Sequence, residues 1–166
     1  MTETLPSLAR LRQLVEEVEP PCATLLIPCD PAREAFSEEF SLRLQTATRQ
    51  LLRRLETLGV DAVRRKRFEE VLAGAVDTSP AGPDVRVRAF LAWGQGAAVF
   101  GLGEGAEDAV ASREPSVRVA QSFALRPLLR AARRSRAFLL LAVSARRVAL
   151  YAGDESGSRL QELPRE

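Results

Sequence analysis

Between residues 42 and 67 the chain carries eight cations, Arg43, Arg49, Arg53, Arg54, Arg64, Arg65, Lys66 and Arg67, against only Glu56 and Asp61. A guanidinium forks onto phosphate oxygens, and affinity for nucleic acid rises with each phosphate neutralised. This block has a net charge of +6, whereas residues 1–41 hold three arginines against eight acids. A second block, residues 116–147, holds eight arginines and no acid, although the whole chain is only +2. Two such blocks point to a polyanion partner. The alternative is a set of solvated helix faces, and 23 of the 24 cations being arginine is compatible with a simple compositional bias.

Other chemistry is thinly supplied. Histidine is absent, which removes the commonest general base and any His/Cys ligand set for zinc. Cys22 and Cys29 stand seven apart in a segment that reads as extended. That spacing separates them by about 23 Å, beyond the roughly 7 Å Cα separation a disulfide allows. Asp30 follows a strand-like run, where α/β proteins often place active-site groups, but it has no second carboxylate or base beside it. Gly101 to Gly105 lacks the spacing and the Lys-Ser/Thr of a phosphate loop. The expectation is a chain with no catalytic residues, no metal and no cofactor. One Trp and one Tyr make a poor base-stacking platform, so recognition of folded RNA by shape and phosphate fits better than single-strand stacking.

The elements that position the cations follow from periodicity. Phe36, Phe40, Leu44, Ala47, Leu51, Leu55 and Leu58 recur at steps of 4, 4, 3, 4, 4 and 3. This is one stripe of a helix of roughly six turns. Its other side carries Arg43, Thr46, Arg49, Gln50, Arg53 and Thr57. Gly59 is the expected C-cap, and Asp61 the N-cap of a second helix running to about Ala75 and burying Phe68, Val71, Leu72 and Ala75. Arg64 to Arg67 wrap more than one turn, so they cannot all face one partner.

Ser7 is the expected N-cap of a first helix with Leu8, Leu11, Leu14, Val15 and Val18 on its apolar side, ended by Pro20 and Pro21. Cys22 to Ile27 reads as a buried strand, followed by a turn over Pro28 to Pro31. Thr78 to Asp84 is loop. Val85–Trp93 and Ala97–Leu102 read as a hairpin whose turn, Gly94-Gln95-Gly96, uses glycine for positive φ. Gly101 to Ser112 reads as a connection or short helix, Ser116 to Gln121 as a strand and Ala124 to Arg134 as a short helix. The arginines of 126–136 complement the C-terminal end of that helix. Ala137–Val143 and Val148–Ala152 form a second hairpin pattern around residues 144–147, and Arg159–Leu163 one more short strand. The expected fold is an α/β (α+β) sandwich, a mixed sheet of about four strands packed by three to four helices. The first strands of a second α/β domain follow it.

Four stretches carry a resemblance. They are Pro21–Asp30 (PCATLLIPCD), Leu51–Val60 (LLRRLETLGV), the hairpin Phe90–Phe100, and Ser122–Gly153 (SFALRPLLRAARRSRAFLLLAVSARRVALYAG). Together they resemble the N-terminal region of archaeal and eukaryotic class-one release factors and their Pelota-like relatives, nearest the uncharacterised bacterial subfamilies. The resemblance implies an N-terminal domain over residues 1–123. Residues 124–166 would then be a linker helix and the opening strands of an incomplete middle-domain-like region, in a fragment or a shortened family member. In the slot of the family's Asn-Ile-Lys-Ser codon-reading motif stand Ala47, Thr48, Arg49 and Gln50, so only the cation survives, at Arg49. The family's Gly-Gly-Gln hydrolysis motif has no counterpart, because the chain contains no Gly-Gly pair. The resemblance thus implies a non-enzymatic module bound to the ribosome or ribosomal RNA through the eight cations, of rescue, occupancy or hibernation type.

The alternative is an interaction or scaffold module without RNA contact, a homodimer through strands in 137–152. No secretory leader pattern is seen, and the longest near-apolar run, Ala137–Val143, is far too short for a membrane span. A cytoplasmic location without membrane contact is therefore expected.

Overall fold

The structure, a computed structural model, describes residues 7–29, 38–76, 85–103, 106, 110, 114–134, 137–143, 148–154 and 161–162. Phe36, Asp30 with Pro31, the 78–84 loop, Arg136 and the 144–147 turn lie outside the described residues, as do the side chains of Arg133, Arg134 and Phe138.

The run Cys22 to Ile27 is apolar at nearly every position because its strand is covered on both faces. This strand, β1 (Cys22–Pro28), lies inside a four-stranded sheet with β2 (Val87–Trp93), β3 (Gly96–Leu102) and β4 (Ser116–Ala120), in the order β3-β2-β1-β4. Side chains alternate across a strand. Ala23, Leu25 and Ile27 join Phe90, Ala92, Val99 and Val117 on one face. There they meet Phe40, Ala47, Leu51 and Leu55 of α2 (Glu38–Thr57) and Phe68, Leu72 and Ala75 of α3 (Ala62–Val76). Cys22 and Leu26 turn the other way with Val87, Ala89, Leu91, Phe100 and Leu102. That face is covered by Leu11 and Leu14 of α1 (Leu8–Glu17) and by Leu128 of α4 (Arg126–Arg134), with Phe123 beside them. The result is a three-layer sandwich, helices on sheet on helices.

All the ladders are antiparallel, so the sheet is not mixed. The reason is the helix count. Between β1 and β2 the chain runs through two helices, and an even number returns it to the end of the sheet it left. Pro28 at the end of β1 accordingly pairs with Val87 at the start of β2. A single crossover helix would have given a parallel pair. After α4 come β5 (Ala137–Val143), β6 (Val148–Asp154) and β7 (Gln161–Glu162), a second antiparallel sheet in the order β5-β6-β7.

Several expectations need adjusting. Val15 is exposed, because among the described side chains of α1 only Leu11 and Leu14 turn fully into the core. Leu58 is exposed as well, since α2 ends at Thr57 and Leu58 falls in its closing turn. The hairpin of β2 and β3 turns at Gly94-Gln95, closed by the pair Trp93–Gly96, yet Gly59 is the one described glycine with positive φ. Glycine at 96 serves the indole instead: a Cβ there would come within 2.8 Å of Trp93 Cζ2. The Trp93 ring also meets Phe123 edge-on at 6.2 Å.

Candidate polyanion-binding face

α2 is held rigidly at both ends of its basic stretch. It lies over β1 and β4, and α3 lies over β2 and β3. Its end is a Schellman turn: Val60 N–H donates to the Leu55 carbonyl and Gly59 N–H to that of Glu56, with Gly59 at φ 75°. Two residues on, the Asp61 carboxylate accepts from Arg64 N–H at 2.8 Å and starts α3.

Within this frame the eight predicted cations separate into three groups. Arg43 and Arg54 sit on the flank of α2 beside the core stripe, and both are bonded into the fold. The Arg43 side chain is only 21% exposed and donates to Glu39 Oε1 at 2.6 Å and to the Pro28 carbonyl at 3.1 Å. Arg54 donates to the Val117 carbonyl of β4, the sheet's edge strand. Arg64, Arg65 and Lys66 are in ion pairs, with Asp61 at 3.8 Å, Glu56 at 2.5 Å and Glu70 at 3.8 Å. Exposed pairs of this kind contribute only about 0–1 kcal/mol, so Arg64 and Lys66 can exchange a carboxylate for a phosphate at little cost. Arg49, Arg53 and Arg67 are exposed and have no side-chain partner among the described residues.

The three free cations do not share one face. Arg49 and Arg53 are one turn apart on the ridge of α2 opposite Ala47 and Leu51, about 6 Å between Cβ atoms. Arg65 reaches Glu56 and so faces α2. Arg67, two residues and about 200° further round α3, points away from α2. The block resolves into an Arg49–Arg53 ridge with a separate Arg67. The Ala47-Thr48-Arg49-Gln50 slot lies mid-helix: Ala47 is buried in the core and Thr48 Oγ1 donates to the Leu44 carbonyl.

Sequence reasoning did not single out Arg88. It points from β2 toward the start of α2 and is only 2% exposed, its guanidinium 4.3 Å over the Phe40 ring. Its neighbours across the sheet are Ile27 and Gly101, and a glycine there leaves room for the long side chain. Burial pulls the Arg88 guanidinium below its ordinary pKa, and the charge of Cys29 offsets part of that. Burial pushes the Cys29 thiol up, against a smaller downward pull from Arg88 and Arg43. The Cys22 thiol is also pushed up by burial. Raised thiols stay protonated and are weak nucleophiles at neutral pH. Both cysteines are free, as their separation by the length of β1 requires.

The chain matches no family model and no curated protein sequence. Among the described residues no group of three or more His, Cys, Asp or Glu could hold a metal ion, and no helix is long and apolar enough to cross a membrane.

Proposed function

We propose that this chain is a non-enzymatic module that binds the ribosome or folded ribosomal RNA, as its resemblance to the N-terminal region of Pelota-like release factors suggests. It would act by occupying a ribosomal site in rescue or hibernation, and not by releasing peptide. One observation carries the reading: Arg49 and Arg53 project, unpaired among the described residues, from the outer ridge of a helix whose inner side is core. Because the helix already fixes their backbone, binding orders only the two side chains, and each phosphate neutralised adds salt-sensitive affinity. The mid-helix position of Ala47 and Thr48 favours a general phosphate grip over codon reading.

The test is co-sedimentation with ribosomes across a salt series. Wild-type chain should bind at low ionic strength, with log affinity falling linearly against log salt. Arg49→Glu with Arg53→Glu should lower affinity by at least ~tenfold and flatten the slope by about 0.7–0.9 for each phosphate no longer neutralised. Absence of salt-dependent binding in the wild type would sink the proposal, as would a double variant that binds normally.

A further inference from the structure

We infer that the α2 ridge takes one kind of nucleic acid, an A-form RNA duplex, and tells it from DNA by accepting hydrogen bonds from ribose 2′-hydroxyls. The inference rests on the RNA-binding reading above and names its ligand. Thr46, Arg49, Arg53 and Thr57 follow one another at steps of 3, 4 and 4, and all four are exposed. They therefore form a single ridge over roughly 16 Å of helix. The two threonines have already committed their protons. Thr46 Oγ1 donates to the Leu42 carbonyl at 2.9 Å and Thr57 Oγ1 to the Arg53 carbonyl at 3.0 Å. A hydroxyl whose one proton is held inward can only accept from outside. Phosphate oxygens are acceptors too, so neither threonine can join the grip made by Arg49 and Arg53. What suits the pair is a donor lying among phosphates. On a nucleic-acid backbone that donor is the 2′-hydroxyl, which RNA has and DNA lacks.

Shape narrows the ligand further. α2 lies over β1 and β4, and α3 lies beside it over β2 and β3, so the two helices form one layer. Two helices of about 10 Å diameter make a front of roughly 20 Å, too broad to enter the ~12 Å major groove of B-DNA. The base-edge donors of that groove, about 8.5 Å deep, are beyond a side chain as short as threonine. The minor groove of A-form RNA is wide and shallow and displays its 2′-hydroxyls, and such a front can lie along it. A single strand would need a stacking platform, and the one aromatic residue of α2, Phe40, is buried in the core.

The experiment uses the full chain and short labelled duplexes of one sequence, read by anisotropy at low ionic strength: RNA, DNA, and RNA with every 2′-hydroxyl replaced by fluorine. Fluorine keeps the A-form at almost the same size and removes the donor. Unmodified RNA should bind tightest, with the fluorinated duplex weaker by about two- to tenfold for each hydrogen bond lost and DNA at least as weak. Thr46→Val with Thr57→Val should bring RNA down to the level of the fluorinated duplex. The same variant should leave DNA affinity unchanged, which also shows that it folds. Thr46→Ser with Thr57→Ser should keep the preference, since serine can make the same bond to the helix carbonyl. The inference is overturned if RNA and fluorinated RNA bind equally, if the valine variant keeps the preference, or if single-stranded RNA of the same sequence binds tighter than the duplex. Absence of duplex binding overturns it as well, and ribosome co-sedimentation then separates the two claims. Ribosomes still bound in a salt-dependent way leave the RNA-binding reading standing, and ribosomes unbound remove both.

Discussion

A cation that holds the fold together and one that is free to bind look alike in sequence, and here their environments separate them. Arg43 donates to the Pro28 carbonyl from a mostly covered position, so Arg43→Gln should cost stability, about 1–2 kcal/mol by denaturant unfolding, with little effect on RNA affinity. Arg49→Gln should do the reverse. Equal effects of the two on binding would remove the distinction. The buried Cys22 and half-buried Cys29 thiols give a pH dependence. Cys22 and Cys29 have folded-state pKa values raised above the unfolded thiol, so the native state holds their protons more tightly. Their contribution to stability is full below the unfolded pKa and is lost as pH rises through the folded value. Unfolding midpoints should therefore fall on the alkaline side of the ordinary thiol pKa, and Cys22→Ala with Cys29→Ala should flatten that fall. The Arg88–Phe40 contact is a further residue-level device. A double-mutant cycle with Arg88→Met and Phe40→Leu should give a coupling of roughly 1–2 kcal/mol for a cation stacked on a ring away from water.

The α2–α3 joint is the element on which the basic ridge depends. Gly59 is left-handed at φ 75°, where an L side chain costs about 1–2 kcal/mol, so Gly59→Ala should destabilise by that order in thermal melts and Gly59→Asn by less. Asp61 at the start of α3 has its carboxyl pKa lowered, chiefly by the Arg64 backbone N–H. Its contribution is present above the unfolded pKa and is lost as pH falls through the folded value. Asp61→Asn should keep the cap and remove the acid sensitivity. Both caps were legible in sequence because capping is local: Gly59 and Asp61 act on residues within five positions. The apolar stripe of α2 was legible for the same reason, and Phe40, Phe68, Phe90 and Phe100 are all in the core as their types suggest. What escaped is non-local. Arg54 is explained by the carbonyl of Val117 and Arg88 by the ring of Phe40, partners 63 and 48 residues away, of which periodicity carries no sign. The antiparallel sheet likewise follows from the helix count between β1 and β2, and not from the strand sequences themselves.

At the scale of the whole chain, the two sheets have unlike protection. β1 is paired on both sides and covered on both faces, and the hydroxyl of Thr24 within it accepts from Ala124 N–H at 2.9 Å. That bond ties the segment before α4 to the centre of the sheet. α4 then buries Leu128 in the same cluster as Leu11 and Phe100, so helices far apart in sequence share one core. Leu128→Ala should accordingly cost about 2–5 kcal/mol and lower the unfolding midpoint of the four-stranded sheet. β5, by contrast, has one strand neighbour among the described residues and exposes Leu140 and Leu141. Local opening is cheapest where apolar burial is least, and amide exchange reports that free energy segment by segment. The amides of β1 should therefore exchange last, near the rate set by global unfolding, and those of β5 much earlier. Equal protection of β1 and β5 would mean that β5 is already covered.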